Sequence, residues 1–223
     1  MNRVALFGRV SAAVLAIAVF ATTSADAWSV HAADPQRGSD IAAAKCAVCH
    51  GADGNSKASQ YPKLAGQNPR YLDYQLQAFK AGDRQSGVMS AIVAGISNAD
   101  LADVASYYAR QTIQPDRVTD KSLAAAGENI FFNGAAGGAV PACAMCHSAT
   151  SGGRMSMMGR MSMMGRGMTA DAPNLNGQHA AYTVARLTRF AAGERPATVM
   201  SRIAGSLSAY DRRAVAEYIS GLH

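Results

Sequence analysis

The chain has 223 residues, room for one large or two small domains. Its formal charge is +6, from 21 Lys+Arg against 15 Asp+Glu. The basic residues are scattered and no nucleic-acid motif accompanies them, which argues against a nucleic-acid partner.

The first segment reads as an export leader. Arg3 and Arg9 give a basic start, and Val10 to Phe20 is an apolar run too short to span a bilayer comfortably. Ala25-Asp26-Ala27 fits a small-x-small cleavage site, and His31-Ala32-Ala33 offers a second. Residues 1–32 are expected to be a signal peptide, cleaved near 27–33; an uncleaved membrane anchor is the alternative. Removing the leader leaves about +5 on the same counting.

Asp34-Pro35 supplies an N-cap and a proline at the first helical position, predicting a helix that runs toward Cys46. Cys46-Ala47-Val48-Cys49-His50 is then a C-x-x-C-H motif, the attachment signature of c-type haem. Cysteines three apart lie on one face of a helical turn, so each can form a thioether with a porphyrin vinyl group. The next residue, His, supplies a proximal nitrogen to the iron. Asn68-Pro69 predicts a helix running toward Gly82. Met89 falls between that helix end and the last helix of the half, which Ser97-x-x-Asp100 opens. There Leu101, Val104, Ala105 and Tyr108 follow i, i+3, i+4, i+7 spacing and predict a buried face.

Residues 113–119, with Pro115 as breaker, read as a linker. Asp120 can cap the first helix of a second half, Cys143-Ala144-Met145-Cys146-His147 repeats the motif, and Ser208-x-x-Asp211 opens a last helix. No alternating strand pattern is sustained, so the expected fold is all-α, in two tandem haem domains at 33–112 and 120–223. The two motifs use all four cysteines. A zinc site would have to draw both pairs together and would leave the two histidines unexplained, and a thioredoxin-like dithiol needs a βαβ setting. A pair of structural disulfides would not explain the repeated histidine either.

Self-comparison shows a duplication. Residues 62–110 align with 173–221 at a constant offset of 111, pairing Pro62 with Pro173, Gly66-Gln67 with Gly177-Gln178, Tyr71 with Tyr182, Phe79 with Phe190 and Met89 with Met200. The haem motifs are offset by 97, so the second half carries 14 extra residues. The segment 154–167 has that length and contains a tandem Arg-Met-Ser-Met-Met-Gly.

A haem bound by His alone leaves one iron face open. Met89 is the only Met in the first mature half, and Met200 is its partner in the repeat. A thioether opposite His favours reduced iron and raises the potential, so both are expected as axial ligands rather than core fillers. Pro62 and Pro173 are expected to offer carbonyl acceptors that fix the ring of the ligating histidine; a simple turn proline is the alternative.

These residues resemble the dihaem cytochrome c4 family, a tandem of two class I cytochrome c domains. The resemblance rests on Cys46–His50 with Gly51-Ala52-Asp53-Gly54-Asn55, on Tyr61 through Gln67, and on Tyr71, Phe79 to Gly82 and Met89. In the second half it rests on Val140 through His147, Pro173-Asn174-Leu175, Gly177 through Tyr182 and Met200. It implies covalent haem at Cys46, Cys49, Cys143 and Cys146. It implies proximal ligands His50 and His147, axial ligands Met89 and Met200, and carbonyl acceptors Pro62 and Pro173. It also implies a periplasmic, often membrane-associated electron carrier. The expected partners are a terminal oxidase, a quinol–cytochrome c reductase or a dehydrogenase. An electron-transfer subunit of a dehydrogenase complex is the alternative, and a dihaem peroxidase is disfavoured because both halves carry the Met. The Met-rich insert departs from the family's pattern. Thioethers from Met155 to Met168 suit Cu(I), but the glycines and arginines around them read as a surface loop, which is the preferred reading.

Overall fold

The computed structural model describes residues 32–147, 172–195 and 197–223. The leader and the 154–167 insert lie outside them. In the first half, α1 (Pro35–Lys45) leads into a single turn, α2 (Ala47–His50), followed by α3 (Pro69–Ala81), α4 (Gly87–Ala94) and α5 (Asn98–Ala109). In the second half, α6 (Lys121–Asn133) leads to α7 (Ala144–His147), α8 (Ala180–Ala191), α9 (Thr198–Ser206) and α10 (Ala209–Gly221). Among the described residues the only β pairing is an isolated bridge between Ala135 and Val140. No single helix among them is long and apolar enough to cross a membrane.

The helix starts are set by local chemistry. The Asp34 carboxylate accepts from the amides of Gln36 and Arg37, and Asn68 accepts from Arg70 and Tyr71, each ahead of a proline at the first helical position. Asp120 accepts from Leu123 N. Ser208 and Asp211 close a reciprocal capping box, and Ser97 accepts from Asp100 N. The helix α3 stops at Gly82, whose φ of 86° is left-handed.

Each half has its own core, built where its first and last helices cross. In the first half Leu101, Val104, Ala105 and Tyr108 are all buried and pack with Ala42 and Leu72, and with Phe79, Val93 and Ile96. In the second, Ile130, Phe131 and Val140 pack against Leu207, Val215 and Ile219. Burying one such large side chain contributes about 1.5–3 kcal/mol. The crossings are close enough to require glycine: a Cβ on Gly38 would collide with the Asp103 carbonyl, and one on Gly127 with the Ala214 carbonyl.

The segments that the sequence left between Gly82 and Ser97, and between Gly193 and Ser208, contain the short helices α4 and α9. Met89 and Met200 sit in their first turns. The two halves dock through side-chain amides. The Gln67 side chain donates to Asn174 O at 2.8 Å and accepts from Asn174 N at 2.7 Å. The Gln178 side chain does the same to the backbone of Lys63, at 3.0 Å for both bonds. From the linker, Asp116 reaches Lys63 Nζ at 2.6 Å and His179 Nδ1 at 2.7 Å. Burial alone would raise the Asp116 carboxyl, but these two partners hold it below its usual range.

Candidate functional site

Two sites are assembled in parallel. In the first, α2 follows α1 so directly that Cys46 is both the end of one helix and the start of the next. That turn places Cys46, Cys49 and His50 together. The loop after it is bent back by Gly54, at φ 77°, where a Cβ would meet Ala65 N at 2.7 Å. The amides of Leu64 and Ala65 close the loop on Gly54 O, at 2.7 and 3.2 Å. Tyr107 Oη on α5 donates to Ala52 O at 2.8 Å. The loop thereby carries Pro62 back to the motif, and Pro62 O lies 2.9 Å from His50 Nδ1.

The second site repeats this geometry. His147 closes α7, and its Nδ1 lies 2.9 Å from Pro173 O. A carbonyl can only accept, so Nδ1 carries the proton in both histidines. Nε2 is left with a free lone pair. Burial pulls both imidazoles below the usual histidine value, and the proline carbonyls oppose this. The neutral ring that a metal needs is therefore favoured. Tyr61 meets the His50 ring edge-on, with centroids 6.2 Å apart.

The cysteines are unbridged. Burial pushes the Cys46 and Cys143 thiols up to about 11. Thiols so raised are protonated at neutral pH, unlike the activated thiolate of a redox dithiol.

A haem fits the residues present. In the second half a cavity of about 590 Å³ is lined by Cys143, Cys146, His147, Pro173, Met200 and Ile203. That volume lies in the range of about 300–1,000 Å³ usual for small-molecule and cofactor sites. One wall offers two thiols and an imidazole, and another offers a thioether. The first half of the chain supplies a further wall with Tyr71, Gln75 and Arg84. Met89 is half-buried at the edge of the Phe79, Val93, Ile96 and Leu101 cluster. The structure thus brings His50 to Pro62, and Cys143, Cys146, His147, Pro173 and Met200 to one cavity. Residues 148–171 fall outside the described residues, so the copper reading of the insert has no geometry to stand on. The interdomain residues Gln67, Gln178, Arg84 and Arg195 carried no site expectation, although all four recur in the repeat.

Residues 35–110 match the Cytochrome c family. The chain is similar to cytochrome c4 of Pseudomonas aeruginosa, 40% identical over 197 residues, covering 86% of this chain and 91% of that protein. It is also similar to the thiosulfate dehydrogenase electron acceptor of Thiomonas intermedia, 31% identical over 184 residues, covering 80% and 78%. Its structure resembles that of reduced recombinant cytochrome c4 from Pseudomonas stutzeri, with a TM-score of 0.74 and 38% identity, covering 86% of this chain and all of that one.

Proposed function

The chain belongs to the cytochrome c4 family, and we propose from that premise that it is a periplasmic dihaem electron carrier. Cys46 and Cys49 hold one haem by thioethers, and Cys143 and Cys146 hold the other. His50 and Met89 would ligate the first iron, His147 and Met200 the second. A bound haem supplies a one-electron iron couple.

What the chain contributes follows from the geometry. The carbonyls of Pro62 and Pro173 hold Nδ1–H and keep Nε2 directed away from it as a ligand. The Met89 and Met200 thioethers would serve as the second ligands, favouring reduced iron and leaving no position for an exogenous ligand. A donor protein is oxidised by one electron and an acceptor reduced by one, with no bond made or broken in this chain. Peroxide chemistry would need an open iron, which Met ligation in both halves would deny. The observation that carries the reading is the doubled donor set, with the same 2.9 Å His–Pro hydrogen bond in each half.

The 31% identity to a thiosulfate dehydrogenase electron acceptor favours a second reading, that this carrier serves a dehydrogenase. Co-purification of the native complex separates it from delivery to a terminal oxidase. The leader supports export, and association with the membrane surface belongs to the same proposal. Copper does not. A redox titration followed by haem spectra is the direct test: two one-electron transitions with Met-ligated spectra are expected. A wild-type protein that binds carbon monoxide readily at both irons would overturn the carrier.

A further inference from the structure

Contacts across the domain interface repeat under exchange of the halves. Arg84 Nη2 donates to Tyr182 Oη at 3.3 Å, and Arg195 Nη2 donates to Tyr71 Oη at 3.1 Å. Both arginines and both tyrosines are related by the offset of 111. Each guanidinium also lies over a phenyl ring of its own half, Arg84 at 4.3 Å from the centroid of Phe79 and Arg195 at 4.6 Å from that of Phe190.

Within this arginine–tyrosine cluster the exchange fails at one pair. Gln75 is the shared acceptor, 2.5 Å from Arg84 Nη1 and 2.7 Å from Arg195 Nη2. Its equivalent is Arg186, which has no acceptor to offer. Arg186 instead lies 4.9 Å over the Tyr182 ring, and its Nε is buried without a hydrogen-bond partner. It lines a small cavity with Asp83 and Arg84 of the first half and with Arg189, Glu194 and Arg195 of its own. Glu194 is engaged by Arg189 at 3.1 Å. Burial, and the like charges of Arg84, Arg189 and Arg195, pull the Arg186 guanidinium below its ordinary value, opposed by Tyr182. Guanidinium still stays charged at any working pH. One side of the interface therefore carries a half-buried cation, its Nε without a hydrogen-bond partner, where the other carries a neutral amide.

Gln75 lines the cavity that holds the second set of haem-binding residues. By the offset of 111, Arg186 is the equivalent of Gln75 in the second half. A fixed positive charge in a low-dielectric setting stabilises the iron state with one more electron. We infer that Arg186 stands to the first site as Gln75 stands to the second and tunes the first haem, raising its potential above the value that an amide at this position would give. This rests on two haems being held as proposed above.

The test is a spectroelectrochemical titration of the full-length holoprotein, with each midpoint assigned through the axial-methionine methyl resonances. Arg186→Gln makes the pair symmetric and should lower the first midpoint alone. Arg186→Lys keeps the charge and should leave it close to wild type. If Arg186→Gln does not load two haems, Arg186→Met carries the same test. Two haems with both midpoints unmoved, or both moved equally, overturn the inference. Equal shifts in the Lys and Gln variants also overturn it, since they would report packing, not charge. Fewer than two haems in the wild type would instead sink the proposed function.

Discussion

The two halves anchor the start of their first helix with different carboxylates. In the first, Asp103 is fully buried, accepts from Asp34 N at 2.7 Å and lies 3.5 Å from Arg37 Nε. In the second, the equivalent position is Ala214, and Glu217, one turn later, accepts from Thr119 N at 2.5 Å, Thr119 Oγ1 at 2.8 Å and Asp120 N at 3.0 Å. The requirement is the same, a buried acceptor for the amide at the capping residue, but a longer side chain meets it from another position. At the candidate haem sites the residues repeat as well as the requirement, His with Pro at 2.9 Å in both halves. Scaffold functions tolerate substitution by a different residue in reach. Ligand functions fix both the atom and its place.

The strongest way to break this comparison is to remove one attachment pair. Cys46→Ala with Cys49→Ala should cost one haem of the two and leave the other, read by haem stain and intact mass. Loss of both would show that the halves do not load independently. Next, Met89→Ala and Met200→Ala should each open one iron to carbon monoxide and lower that haem's potential. Unequal behaviour would mean that only one of the two thioethers is a ligand.

The scaffold carboxylates should respond on a smaller scale. Glu217→Ala leaves three donors without their acceptor and should cost about 2–4 kcal/mol in urea unfolding at neutral pH. Burial alone would raise the Glu217 carboxyl, but its hydrogen bonds from Asp120 and Thr119 hold it below the usual range. Its contribution is therefore fully present above the unfolded value of about 4.3 and is lost as pH falls through the lower folded value. A difference between wild type and variant that persists unchanged into strong acid would refute the assignment. Smaller again, Gln67→Ala and Gln178→Ala should weaken docking by similar amounts, about 1–2 kcal/mol each, because their contacts are reciprocal. Hydrogen exchange at the interface measures this. The least effect is expected from deleting Arg154 to Gly167, since the repeat keeps its register from Pro173 to Met200 without it. Haem content and spectra should not change, and a second haem that becomes open to carbon monoxide would show that the insert supplies a ligand.

What could be read from sequence was local or repeated. The caps at Asp34, Asn68, Ser97, Asp120 and Ser208 declare themselves within four residues, and each forms as expected. The pairing of Pro62 and Pro173 with the motif histidines was legible because both partners recur. The helices α4 and α9 were not. They are short, α4 is apolar nearly all round, and α9 begins at Ala197, which has no capping side chain. Gly38 and Gly127 escaped because they lie outside the constant-offset stretch, so alignment does not pair them. Gln67 and Gln178 were seen to recur, but a side chain bonded to backbone more than a hundred residues away leaves no local trace. Arg84 and Arg195 reach tyrosine side chains of the opposite half, which leaves no local trace either.

That docking through backbone has a consequence for how the halves could diverge. Gln67 and Gln178 each grip the backbone N–H and C=O of one residue, the one feature of the opposing position that mutation cannot alter, short of proline. The side chains there were free to drift. Lys63 turned to the linker and holds Asp116 and the Gln114 carbonyl, while Asn174 turned inward to the Gly66 carbonyl. The interface stayed self-complementary in its main chain while the two faces acquired separate employment in their side chains.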